Sequence, residues 1–235
     1  MKNIVEILRK ELENISSEEV RSSGQKFFKE EISSYGVKSA DVARIGKIHF
    51  ESIAGLSKKE VFDICEKLWQ SGNLEESFIA CNWSYNLHKK FEIEDFKVFE
   101  LWVNRYVNNW ASCDTLCNHT VGEIVEMHPQ LINGLKEWTK SENRWVKRAA
   151  AVSLIIPARK GLFLNDIFEI ANALLVDKDD MVQKGYGWML KAASQAYQNE
   201  VFQFVMSKKT IMPRTALRYA IEKMPKELKA LAMEK

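Results

Sequence analysis

The residues most suggestive of chemistry lie in the segment NWASCDTLCNHT. Read as a helix, it puts Cys113, Leu116, Thr120 and Ile124 on the buried stripe. Asp114 falls in the adjacent row with Trp110, Cys117 and Val121. A carboxylate against an indole and apolar groups is partly desolvated, and is costly without a cationic partner. Two accounts fit. With a helix start at Ser112, Asp114 complements the positive end of the helix dipole. Alternatively, it stabilises positive charge that develops on a bound ligand.

A second pattern lies further on, between Asp179 and Ala196. Val182, Gly185, Tyr186, Met189 and Ala193 form the expected core stripe, and the opposite row is Lys184, Trp188, Lys191 and Gln195. A tryptophan between two lysines is either covered by a neighbouring helix pair or exposed as a stacking platform flanked by ammonium groups. Base–aromatic stacking is worth roughly 1–3 kcal/mol. Upstream, Arg144, Lys147 and Arg148 precede three alanines. Arg144 and Arg148 share a row that continues the lysine row if successive units stack in register. Arg214 and Arg218 form a further basic pair. A solvated helix face is the plain alternative for all of these.

The bulk numbers limit the partners. Of 235 residues, 46 % are hydrophobic and 28 % charged, an ordinary folded balance. The formal charge of +2 hides an asymmetry: residues 1–100 carry 15 Lys/Arg against 18 Asp/Glu, and residues 101–235 carry 19 against 14. So small an excess means that an anionic partner is held by placed side chains rather than by a diffuse field. The opening MKNIVEILRKELENI is an amphipathic helix without a long apolar run, which predicts neither a signal peptide nor a membrane span. Four cysteines in a chain of this size predict no disulfide framework and point to a reducing, cytoplasmic setting. Cys113, Cys117 and His119 make a poor tetrahedral set, and no metal site is expected.

Apolar residues recur at three- and four-residue spacing, with no strand-like alternation, so the chain reads as about a dozen helices. Ser57 and Glu60 have the spacing of a capping box, and Pro129, Pro157, Pro213 and Pro225 are read as helix boundaries. Val146 and Val182 begin similar patterns 36 residues apart, and Trp110 lies another 36 back. That period predicts an all-α fold, an α-solenoid of tandem HEAT-like antiparallel helix pairs with a concave basic face, as one domain over 1–235. Trp69, Trp83, Trp102, Trp138 and Trp145 are assigned to helix contacts.

The stretches WASCD, ENRWVKRAAAV, GYGWMLK and PRTALRYAIEKM, with FFKEEISSYGVKSADVARIGK near the start, resemble the AlkD-type DNA alkylation-repair proteins. The resemblance implies a solenoid that clasps double-stranded DNA and a glycosylase that removes cationic N3- or N7-alkylated purines, leaving the damaged base stacked. It makes Asp114 similar to the catalytic carboxylate, Trp110 and Trp188 to the aromatic pair flanking the lesion, and Arg148 to a backbone-contacting arginine. Lys184, Lys191, Arg214 and Arg218 are the further candidates for backbone contact. No metal or cofactor is implied, and a monomer suffices.

Three residues depart from the family's pattern. Asn109 stands where a second Trp is frequent, Lys191 where Arg is usual, and Phe27 where Tyr can occur. The sequence therefore leaves three functions in play: the glycosylase, a non-catalytic module that binds damaged or branched DNA, and a protein–protein scaffold.

Overall fold

In the computed structural model, which describes residues 4–234, the first elements are α1 (Ile4–Asn14), α2 (Glu18–Gln25), α3 (Ser39–Ile53), α4 (Lys58–Trp69), α5 (Leu74–Tyr85) and α6 (Asp95–Arg105). Next come α7 (Trp110–Thr115), a π-helical turn over Leu116–Val121, α8 (Gly122–Met127), α9 (Ile132–Trp138) and α10 (Arg144–Val152). The chain continues with α11 (Ile155–Arg159), α12 (Leu164–Ala173), α13 (Asp180–Ala193), α14 (Gln198–Lys208), α15 (Arg214–Ala220) and α16 (Lys226–Met233). Among the described residues there is no β-strand, only an isolated bridge between Ser33 and Asn73. The all-helical class and the tandem helix pairs are those the sequence predicts.

Two compact units make up the chain, Met1–Leu116 and Cys117–Lys235. In the first, α5 packs on α3, α4 and α7. Its core contains Leu8, Leu12, Ile45, Leu68, Ile79, Trp83, Phe99 and Trp102, all fully buried. Each such side chain contributes on the order of 1.5–3 kcal/mol of burial. The Trp83 indole donates to the Gly46 carbonyl at 2.8 Å, so its one polar atom is satisfied inside the core. In the second unit α13 is central and packs on α10, α11, α12 and α15. Gly187 permits the last contact, since a Cβ there would stand 2.7 Å from Tyr219 Cβ and 2.8 Å from the Ala216 carbonyl.

The expected capping box at Ser57 and Glu60 is present, and the five tryptophans assigned to the core are buried. Pro129, Pro213 and Pro225 do stand at helix starts. Pro157 differs: it is the third residue of α11, in a first turn where a missing N–H breaks no helical hydrogen bond.

Candidate functional site

The second helix of successive pairs starts at a common kind of cap. Asn73, Asn109, Asn143 and Asp179 each accept main-chain N–H groups of the turn that follows, at 2.8–3.4 Å. Pro213 holds the same place before α15 without a side-chain bond. The five positions are separated by 36, 34, 36 and 34 residues. Counting from each cap aligns six of the eight candidate residues, all but Trp188 and Lys191. The first helical position is Leu74, Trp110, Arg144, Asp180 or Arg214, and the fifth is Phe78, Asp114, Arg148, Lys184 or Arg218. Positions one and five share a helix face.

This register decides between the two accounts of Asp114. The helix starts at Trp110 behind Asn109, not at Ser112, and has no acidic residue in its first turn. Asp114 is therefore not a helix-capping carboxylate. It also explains Asn109, whose carboxamide accepts the Ser112 N–H at 2.9 Å, a bond an indole in its place does not make.

In the first unit Trp110 and Asp114 are both half-buried. The Trp110 indole N–H donates to the Phe27 carbonyl at 3.2 Å, and its ring stacks on Phe28 with centroids 5.4 Å apart and planes at 21°. One face of the indole is thus taken by the protein. Phe27 itself is 74 % exposed, and a cavity of about 280 Å³ lies between it, Val20, Phe28, Leu74, Phe78 and Trp110. Sequence reasoning missed Phe28. The Phe27–Phe28 pair was the available signal, but nothing local tells which ring meets an indole 82 positions away.

In the second unit Arg144, Lys147, Lys184 and Lys191 are paired with carboxylates. Arg144 Nε lies 2.9 Å from Asp179 and its guanidinium 4.8 Å over the Trp145 ring. Lys147 bonds Asp177, Lys184 bonds Asp180 at 3.2 Å, and Lys191 bonds Glu222 at 2.9 Å. The Lys191 ammonium also sits 6.0 Å from the Trp188 ring and 5.6 Å from the Tyr219 ring. Trp188 is half-buried. Arg214 and Arg218 are exposed, with Arg214 donating to the Met233 carbonyl at 3.2 Å. The row read as basic is therefore charge-compensated along α10 and α13. Such partly exposed pairs are worth about 0–1 kcal/mol, so a phosphate can replace the carboxylate at small cost.

Arg148 departs most from its expected place. It is 5 % exposed and donates from Nη1 to the Met181 carbonyl. Its aliphatic stem crosses Gly185, where a Cβ would approach Arg148 Cγ to 3.2 Å. Arg148 ties α10 to α13 rather than projecting into solvent.

Cys113 and Cys117 are wholly buried, and no group of three His, Cys, Asp or Glu among the described residues is placed to hold a metal ion. Burial holds the Cys65 and Cys81 thiols above their ordinary range. No helix among the described residues is long and apolar enough to cross a membrane.

With helices, caps and candidate residues in place, the comparisons give a class. The chain belongs to the family described as DNA alkylation repair enzyme, which matches residues 8–224. A solved structure described as a predicted DNA alkylation repair enzyme from Enterococcus faecalis superposes with a TM-score of 0.80, covering 90 % of this chain and 97 % of that one. At 17 % identity that likeness speaks for the fold. No curated protein matches the sequence.

Proposed function

We propose that the protein is a DNA glycosylase that excises cationic N3- and N7-alkylated purines from duplex DNA, with Asp114 as the catalytic carboxylate. One observation carries this reading. At the fifth position after the cap, where Arg148, Lys184 and Arg218 stand in later helices, the Asn109-capped helix has a half-buried carboxylate on the same face as Trp110. A carboxylate repels phosphate, so backbone binding does not account for it. A cationic lesion does.

The chemistry follows from charge. An alkylated purine is a cation, and the open face of an indole attracts it with about 0.5–2 kcal/mol, depending on desolvation. The C1′–N bond breaks with its electron pair going to the base, which leaves neutral, and positive charge passes to the sugar. The fixed Asp114 carboxylate opposes that charge. Water then adds at C1′ and loses its proton, to Asp114 or to solvent. The leaving base is activated by its own charge, so one carboxylate suffices.

Trp110 and Trp188 contact the lesion nucleotide in this reading, and Lys184, Lys191, Arg214 and Arg218 meet the backbone. Arg148, inferred from the resemblance to touch the backbone as well, contributes chiefly by holding α10 on α13. Duplex DNA containing 7-methylguanine, incubated with wild type and with Asp114→Asn, tests the proposal. Release by wild type alone supports it. Equal release by both, or none by either, removes the catalytic claim, and salt-sensitive binding without release then favours a non-catalytic damage-binding protein.

A further inference from the structure

The first unit contains a buried carboxylate pair that the proposed reaction does not use. Glu75 and Glu76, at the start of α5, are 3 % and 1 % exposed. Glu75 accepts four hydrogen bonds from one short segment: Ser34 Oγ at 2.8 Å, and the main-chain N–H groups of Tyr35, Gly36 and Val37 at 3.1, 2.9 and 3.0 Å. Glu76 accepts the Tyr35 hydroxyl at 2.7 Å and a bidentate pair from Arg9, Nε at 3.1 Å and Nη2 at 3.0 Å. Buried carboxylates fully matched by donors are strong anchors. Glu75 here holds the Ser34 hydroxyl and the backbone of residues 35–37, and Glu76 holds the Tyr35 side chain.

That segment in turn holds α2. The Ser17 N–H donates to the Gly36 carbonyl at 3.1 Å, and Arg21 donates to the carbonyls of Ser34 and Tyr35 at 3.0 and 3.2 Å. Gly36 has φ +79°, and a Cβ there would lie 2.3 Å from the Ser17 carbonyl oxygen, so only glycine allows the approach. The hydrogen bonds matter because α2 buries none of its own residues. Its one apolar contact residue, Val20, is only half-buried. Yet α2 leads directly into Phe27, whose carbonyl takes the Trp110 N–H, and Phe28, whose ring backs the indole.

We propose that Glu75, supported by Glu76, is a positioning residue for Trp110: through residues 33–37 and α2 it sets where the Phe27 carbonyl and Phe28 ring stand, and so which way the open indole face points. The effect of this on base release rests on the reading of Trp110 as a lesion contact. The effect on the indole does not.

The test uses full-length protein labelled with ¹⁵N-tryptophan, in which Trp110→Phe identifies one indole N–H signal among seven tryptophans. In Glu75→Gln an amide group faces the Tyr35 N–H, and in Arg21→Ala two bonds from α2 are lost. Both are expected to shift the Trp110 signal and speed its hydrogen exchange at least tenfold, leaving the other indoles in place. Should Glu75→Gln move all seven signals by unfolding, Arg21→Ala, at an exposed position, still decides. An unmoved Trp110 signal in folded Arg21→Ala overturns the proposal. Wild-type protein that releases no base overturns the glycosylase reading and leaves the indole result standing on its own. If wild type is active, kcat for base release should fall in both variants more than duplex affinity does. Unchanged kcat with a displaced indole overturns the functional half.

Discussion

Asp114 and Arg148 hold the same place in their helices, five residues past an asparagine cap, and carry opposite charges. The first is a half-buried carboxylate one helical turn after an indole that stacks on Phe28. The second is a buried cation spent on a neighbouring carbonyl. Sign of charge alone does not separate function from packing at this position. The surroundings differ: the Trp110 ring one turn before Asp114 stacks on Phe28, whereas Arg148 lays its stem on Gly185 and donates to the Met181 carbonyl.

The sharpest way to break the comparison is at Asp114. Asp114→Asn should lower single-turnover release of 7-methylguanine by about 10²–10³-fold, the range seen when one electrostatic stabiliser is removed from a catalytic site. Duplex binding in a gel-shift assay should persist or tighten, because a carboxylate facing DNA is gone. Next comes Arg148→Met, which removes the buried tie from α10 to the Met181 carbonyl and should cost about 1–3 kcal/mol in urea unfolding. If the salt slope of DNA binding instead dropped by about one with stability unchanged, Arg148 would be a phosphate contact after all.

Gly187→Ala probes the packing side alone. Its new methyl meets Tyr219 and the Ala216 carbonyl below 3 Å, and overpacking of that kind costs about 1–3 kcal/mol, read as a fall in Tm. A smaller effect is expected at the compensated row. Glu222→Gln frees Lys191, and affinity for undamaged duplex should rise severalfold at low salt, with a steeper salt dependence. Unchanged affinity would mean that Lys191 does not meet the backbone. The smallest signal is an absence: a thiol reagent should label none of the four cysteines in the native protein and all of them after unfolding, since all are buried.

Much of this is legible in the sequence. Periodicity exposed the helices, the buried stripe through Cys113, Leu116, Thr120 and Ile124, and the five structural tryptophans. The caps carried a finer signal that valine spacing blurred. Matching Val146 to Val182 sets a period of 36, whereas the caps alternate between 36 and 34, which is why stepping back 36 from Val146 found Trp110 only at a helix start. Hydrogen-bond partners were not legible. Nothing local links Asp177 to Lys147 or Glu222 to Lys191, about 30 residues apart, so a charge-paired row read as a basic one. The support of Trp110 was hidden for the same reason. It is assembled from Glu75, Gly36 and Phe28, each ordinary in its own neighbourhood.

The regular caps have a consequence for how such a chain can change over time. Each asparagine or aspartate fixes a datum, and the residue five places on faces the same way whatever its chemistry. Exchanging Asp114 or Lys184 for another residue type is a single-codon-scale change that leaves the turn and the cap untouched. New recognition can therefore arise by substitution at a numbered slot in a duplicated module, with no loop to redesign. A lineage built this way can lose or regain chemistry while its architecture stays the same.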